Sequence, residues 1–218
     1  SSGAVRKSLL QEAQSLYTEA ANIGLRHEEF SNDELHDLIM EIIYLSYRLS
    51  SYDSGQRAYE VLADYAAEDG NTLLQAEMLV QLADWELFYS RHLGTVVRDS
   101  ALAKYQEAYR LLSGEQVSAA AIEALFSPAT PVVLPSFVRT SLVPAGAESA
   151  HYIDVSFVIA RNGEGDGIEI VGSSDDVGRA EIRDLVQAIK RNRFRPRVAR
   201  DGELDMTPVT VRYEVVPR

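Results

Sequence analysis

Alternating apolar and polar residues in the last third of the chain constrain its fold more than any other feature. The first such run, residues 152–159, has apolar side chains at every second position: Ile153, Val155, Phe157 and Ile159. A period of two is typical of a strand with one buried face. Three glycines within residues 161–167 favour a tight reversal. A second strand is then predicted, with Ile168 and Ile170 inward and Glu169 outward.

A helix and a final strand complete this pattern. Side-chain oxygens within residues 173–176 can cap the helix. Its apolar stripe has the spacing i, i+3, i+4, i+7 and consists of Ile182, Leu185, Val186 and Ile189. Pro196 ends the helix, and a turn is predicted at Asp201-Gly202. The last strand alternates polar residues with Val209, Val211, Tyr213 and Val215. The predicted fold of residues 151–218 is therefore a small ββαββ sheet plus helix.

Short motifs follow one another through this region in a definite order. They are Val155, Phe157 and Ile159, then Gly163, Ser173-Ser174, Arg193-Phe194-Arg195-Pro196, Asp201-Gly202, and finally Val209, Val211 and Tyr213. In this order they resemble the C-terminal domain of the TonB family. Members of that family join an inner-membrane energy source to outer-membrane transporters, and they do so by pairing a strand edge with an extended peptide. The resemblance implies the same activity for this chain. One departure is that residues 135–138 and 145–147 lack the family's Tyr-Pro entry segment.

The first 126 residues have the pattern of six helices joined by short polar loops. In the first helix the residues predicted to face inward are Leu9, Ala13, Leu16 and Ala20. Residues 79–112 resemble a degenerate tetratricopeptide repeat through Leu82-Ala83, Ala101, Tyr105 and Ala108. The resemblance implies an all-α helical-hairpin array, and an irregular helical bundle is the alternative.

Charge changes at the end of these helices. Residues 1–126 carry 20 acids and 9 bases, whereas residues 127–218 carry 13 acids and 12 bases. Four prolines within residues 127–150 exclude a long helix there. We therefore predict an α+β, two-domain chain. Its parts are a tetratricopeptide-like helical domain (1–126), a Pro-containing linker (127–150) and a TonB C-terminal-like domain (151–218).

Two surfaces are predicted to bind a protein partner. An extended peptide can add to a sheet edge through main-chain hydrogen bonds. The predicted edge is the last strand, namely Val209, Thr210, Val211, Arg212, Tyr213 and Glu214. The other surface is a basic patch around Phe194, formed by Lys190, Arg191, Arg193, Arg195, Arg197 and Arg200. Internal ion pairs are the favoured use of this patch, ahead of partner binding and, third, nucleic-acid binding.

The sequence contains no recognisable catalytic motif. No nucleophile–base set, phosphate-binding loop or dinucleotide fingerprint occurs, so we expect no enzyme, no catalytic residues and no cofactor. The chain has no cysteine, and the acids and histidines of residues 27–37 lack the i, i+4 His pair that binds zinc. We therefore expect no metal. A cell-wall hydrolase with Glu28, Glu29 or Asp37 as its acid is an alternative from another functional class.

These predictions together favour a non-enzymatic adaptor of the bacterial cell envelope. It would lie in the periplasm and bind protein partners through a helical groove and an exposed sheet edge, with neither a small-molecule substrate nor nucleic acid. A net charge of −12 argues against general nucleic-acid binding. The alternative function is a TonB-type energy transducer that engages outer-membrane transporters.

The membrane connection of either protein would have to lie outside this sequence. No apolar run approaches the roughly 20 residues that span a bilayer. Ser1-Ser2-Gly3 is typical of a trimmed start, so an anchor or export signal is expected ahead of it. A single spanning helix there would favour the transducer. A cleaved signal or a lipid-attachment cysteine would favour the adaptor.

Overall fold

The computed structural model describes residues 2–27, 31–114, 117–146, 148–199 and 201–215. Within these residues it shows seven helices and seven strands, so the predicted α+β class is confirmed. The helices are α1 (Ser2–His27), α2 (Asn32–Leu49), α3 (Tyr52–Glu68), α4 (Thr72–Leu93), α5 (Thr95–Ser113), α6 (Ala119–Phe126) and α7 (Arg179–Arg191). The strands are β1 (Val133–Leu134), β2 (Tyr152–Ile159), β3 (Gly165–Ser173), β4 (Arg193–Phe194), β5 (Arg197–Val198), β6 (Leu204–Asp205) and β7 (Val209–Glu214).

The first five helices form a succession in which each packs chiefly against its neighbours in sequence. Local signals set their ends. Ser31 and Glu34 form a reciprocal capping box at the start of α2. Gly94 alone joins α4 to α5, and its φ of 94° is a conformation that favours glycine. Among the described residues, no helix is both long and apolar enough to cross a lipid bilayer.

The buried face of α1 differs from the predicted one. Leu9 and Leu16 were expected to face inward, but 60% and 61% of their surfaces are exposed. The helix buries Ala21 instead and packs Tyr17 against the core of α2 and α3. The physical reason is that α1 packs chiefly against α2, so that one narrow stripe is covered and the apolar residues beside it remain in solvent.

The predicted strand at residues 152–159 is the centre of a three-stranded antiparallel sheet of order β3-β2-β7. All four of its predicted inward residues are buried. On the same face α7 contributes Leu185 and Ile189 to the core. Val155 lies opposite Ile170 of β3 and Val211 of β7, which fixes the register across the sheet. Period-two patterning therefore predicted the inward residues of β2 correctly, and helical patterning predicted Leu185 and Ile189, whereas Ile170 is 38% exposed and Val186 is not part of the core.

The short strand after α7 lies outside the main sheet, in contrast to the predicted ββαββ arrangement. β4 pairs with β1, and β5 pairs with β6, in two separate ladders. Phe194 explains the arrangement, because its fully buried ring packs at 5.1 Å from Phe157 in the sheet core. Its backbone is left to pair with Val133, and the amide of Arg195 donates to the carbonyl of Val132 at 2.9 Å.

The described part of residues 127–150, predicted to be a linker, packs against both the helices and the sheet. Leu134, together with Val198, is buried in the core formed by α4, α5 and α6. Leu142 is buried in the sheet core beneath α7. Between them the ring of Phe137 meets Tyr47 of α2 edge-on, with the ring centroids 5.6 Å apart. The helices and strands therefore share buried side chains.

Candidate protein-binding edges of the sheet

The predicted binding edge, β7, is partly occupied by the chain itself. The amide of Ala145 donates to the carbonyl of Arg212, and the amide of Glu214 donates to the carbonyl of Val143, each at 2.9 Å. A bridge between Pro144 and Tyr213 lies between these bonds. The expectation of an open edge is thereby corrected for the half of β7 that contains Arg212, Tyr213 and Glu214.

Buried side chains account for this pairing. Leu142 is anchored in the sheet core, which brings residues 143–145 alongside β7. The inward residues of β7 are the buried Val209, Val211 and Tyr213, and burial raises the pKa of the Tyr213 hydroxyl. Thr210 is exposed at the end of β7 that this segment does not reach.

The opposite edge of the sheet, β3, offers an apolar surface. This nine-residue strand pairs with β2 and has no second strand beside it among the described residues. Ile170 lies opposite the buried Val155 and so belongs to the core face of the sheet, yet 38% of its surface is exposed. Val171 is 55% exposed. The sheet core is therefore open along this edge.

The ladder between β2 and β3 shows which backbone groups of β3 point outward. At the two ends of β2, the amide of Ala160 donates to Glu164 at 2.8 Å and the carbonyl of Tyr152 accepts from Ser174 at 3.1 Å. Backbone groups alternate in direction along a strand, so even-numbered β2 residues face β3 and Val155 faces β7. Glu169 pairs with Ser156 and so faces β2, and the N–H that follows it, that of Ile170, therefore points away from the sheet.

Two features of this edge protect it against uncontrolled strand pairing. The β2–β3 register shifts between Asp154 and Val155 and again between Ser156 and Val158, as β-bulges do. Bulges and charged side chains are common protections against uncontrolled edge pairing. The outer face of β3 also carries the exposed carboxylates of Asp166 and Glu169. The edge is thus an apolar strip with an acidic outer face.

The predicted basic patch is mostly a set of internal ion pairs. Arg193 donates to Glu164 at 2.6 Å, and Arg197 lies 3.2 Å from Asp205. Arg195 is buried among the helices. Lys190 and Arg191 are exposed at the end of α7. Arg200 lies outside the described residues. The arginines near Phe194 therefore form internal ion pairs, as the favoured interpretation predicted. The described residues of the set form no continuous cationic surface.

Arg195 forms the centre of a buried polar network between the helices and the strands. Its Nε donates to Oδ1 of Asp84 at 2.9 Å, and its Nη2 donates to Oδ2 of the same carboxylate. Its Nη1 donates to the carbonyl of Leu125 at 3.0 Å. The Tyr105 hydroxyl also donates to Asp84, at 2.7 Å. Burial alone would lower the pKa of Arg195, but the Asp84 carboxylate outweighs this effect and the pKa is raised.

Sequence reasoning did not identify Asp84. A signal was present, because Asp84 and Glu86 stand within the otherwise apolar run of residues 82–87 of α4. A charged residue on a buried helical face needs a partner. The structure provides Arg195 and Tyr105 for Asp84, and Lys104, at 2.9 Å, for Glu86.

This network predicts a loss of stability at alkaline pH. Burial and the nearby Asp84 carboxylate raise the pKa of Tyr105 well above its ordinary value. Above a pH of about 10 the tyrosines of the unfolded chain lose their protons while Tyr105 keeps its proton, so the folded state binds more protons and its stability falls as pH rises. In urea titrations from about pH 8 to about pH 11, Tyr105→Phe is expected to flatten this decline. Equal slopes in the two proteins would contradict the assignment.

The helical part contains a groove in the region where a helical partner site was expected. It lies between α1 and α3 above α2 and has a volume of about 760 Å³. Its lining includes the buried apolar residues Ile39 and Ala58 and the exposed polar residues Asn22 and Arg57. Partner binding in this groove remains a prediction.

The acids and histidines of residues 27–37 have ordinary surroundings where they are described. Glu34 accepts hydrogen bonds from both the amide and the hydroxyl of Ser31, which lower the pKa of its carboxyl. His36 lies 3.7 Å from the exposed Asp37. Glu28 and Glu29 lie outside the described residues. Nowhere in the described ranges do three His, Asp or Glu side chains come together as a metal site.

Comparison of this chain with protein-family models, curated proteins and solved structures finds no match. The TonB-like and tetratricopeptide-like assignments therefore remain predictions based on the residues quoted for them.

Proposed function

We propose that this chain is a non-enzymatic protein-binding adaptor that receives an extended segment of its partner at the β3 edge. The observation that carries the proposal is Ile170. It is a core-face residue left 38% exposed on a strand with one described neighbour. An added strand would extend the ladder and cover this side chain, so main-chain hydrogen bonds and apolar burial would act together.

The sequence resemblances supply the setting of the proposal. The TonB-like motifs of residues 151–215 support a role in the bacterial cell envelope, where strand addition links proteins. The tetratricopeptide-like pattern of residues 79–112 supports helices that hold a second partner. Leu134 and Val198 share a core with α4, α5 and α6, and this core would hold the two binding sites in a fixed relative position.

Strand addition can be tested with proline at each edge. Proline lacks an N–H and is tolerated where that group faces solvent. Ile170→Pro therefore removes an outward donor from β3, and Thr210→Pro is the matched change on β7. The probe is a fluorescent nonapeptide of alternating valine and threonine, measured by anisotropy. We expect Ile170→Pro to weaken binding about tenfold or more, through a lost hydrogen bond and lost apolar contact.

Thr210→Pro is expected to bind as the parent does, and circular dichroism should show both variants folded. A peptide N-methylated at every residue, which cannot donate from either edge, should fail to bind the parent. Loss of binding in Thr210→Pro with normal binding in Ile170→Pro would move the site to β7. Parent-like binding by both variants would refute strand addition.

A further inference from the structure

The two faces of β3 differ in chemistry, and this difference defines the kind of strand that fits beside it. On the core face Ile170 is partly exposed next to the apolar side chains that α7 covers. On the outer face Glu169 lies opposite Ser156, and Asp166 lies opposite Val158. Neither neighbour is cationic, and neither carboxylate forms an ion pair within the described ranges. A strand beside β3 would therefore meet one apolar and one acidic face.

We propose that the partner segment alternates apolar residues with lysine or arginine. This inference rests on the proposed function, because it names the partner of the same edge. Side chains directly opposite in an antiparallel pair lie about 4.5–5.5 Å apart, so opposite charges there attract and like charges repel. Cations on the partner's outer face would lie beside Glu169 and Asp166, while its apolar face would continue the core over Ile170.

A second copy of this chain is a poor occupant of the same edge. β3 contains two carboxylates and no lysine or arginine. Pairing two β3 strands would place four carboxylates along one ladder with no compensating cation, and like charges across strands destabilise the pair. The two chains, each with a formal charge of −12, would also repel each other at a distance. The charge of the edge therefore selects a foreign, basic strand.

The test uses three fluorescent nonapeptides in which valine alternates with lysine, threonine or glutamate. The full chain is expected to bind the lysine peptide about tenfold more tightly than the glutamate peptide at low salt, from cross-strand charge pairs. The preference should shrink as ionic strength rises. Glu169→Lys should reduce or reverse it. Glu107→Lys, an equal charge change at an exposed site on α5, should leave it unaltered.

Each result separates the inference from the proposed function. Equal affinity for the lysine and threonine peptides would overturn the charge selection and leave strand addition standing. A preference for lysine that Ile170→Pro and Glu169→Lys leave intact would place the basic peptide elsewhere and overturn the inference. No binding by any of the three peptides would overturn the proposed function itself. A concentration-dependent dimer that Ile170→Pro abolishes would show that a second copy takes the edge.

Discussion

Replacing Asp84 by alanine is expected to lower the free energy of unfolding by about 3–5 kcal/mol, the usual loss when one partner of a buried ion pair is removed. Asp84 is 2% exposed and accepts hydrogen bonds from Arg195 and from Tyr105. The variant leaves the Arg195 guanidinium buried beside an apolar methyl group, with the Leu125 carbonyl as its remaining described acceptor. The cost is therefore that of an uncompensated buried charge.

A second ion pair in the same protein provides the control. Arg212 donates to Asp154 from Nε at 2.8 Å and from Nη2 at 2.9 Å, with the same two-bond geometry. This pair lies on the outer face of the sheet, where 31% of the Arg212 side chain and 21% of the Asp154 side chain are exposed, so solvent screens it more than the buried pair. Chemical denaturation should show a far smaller loss for Asp154→Ala than for Asp84→Ala.

The double variant Asp84→Leu with Arg195→Met removes both charges together. It is expected to recover much of the loss, since apolar pairs often replace buried ion pairs without cost. Arg195 connects the strands to α4 and α6, so a single cooperative transition is expected in the parent protein. If Asp84→Ala unfolded with the parent's midpoint and slope, the carboxylate would not be the partner that holds Arg195.

The features that the sequence predicted are those set by local periodicity. The inward residues of β2 follow from alternation alone, because successive side chains on a strand point to opposite faces. Leu185 and Ile189 follow from helical spacing in the same way. Each of these predictions needs only the neighbouring residues in the chain.

The features that the sequence did not predict depend on contacts between distant residues. Asp84 and Arg195 are 111 positions apart, and no local pattern pairs them. The pairing of residues 143–145 with β7 depends on the path that the chain takes after Leu142. The α1 face was mispredicted because the sequence does not say how many neighbours a helix has. β3 is the candidate edge because residues 143–145 already pair with part of β7.

Gly55→Ala is expected to destabilise the protein, although alanine is the better helix former. At an open helical position this change stabilises by about 0.5–1 kcal/mol. Gly55 lies in α3, where three carbon atoms of the Trp85 indole fall within 3.0 Å of the site that a Cβ would occupy. Overpacking of this kind costs about 1–3 kcal/mol, so the clash outweighs the helical gain.

Trp85 cannot move aside without further loss. Its Nε1 donates to the carbonyl of Tyr52 at 3.1 Å, and its ring packs against Tyr59 and Tyr89, with centroids 6.1 Å and 4.8 Å away. In a Trp85→Leu background the space opposite Gly55 is open, and there Gly55→Ala should regain its stabilising sign. Urea denaturation of the four proteins gives the coupling free energy directly. A stabilising Gly55→Ala in the parent would mean that the Trp85 indole does not pack against Gly55. The core between α3 and α4 would then have to be packed differently.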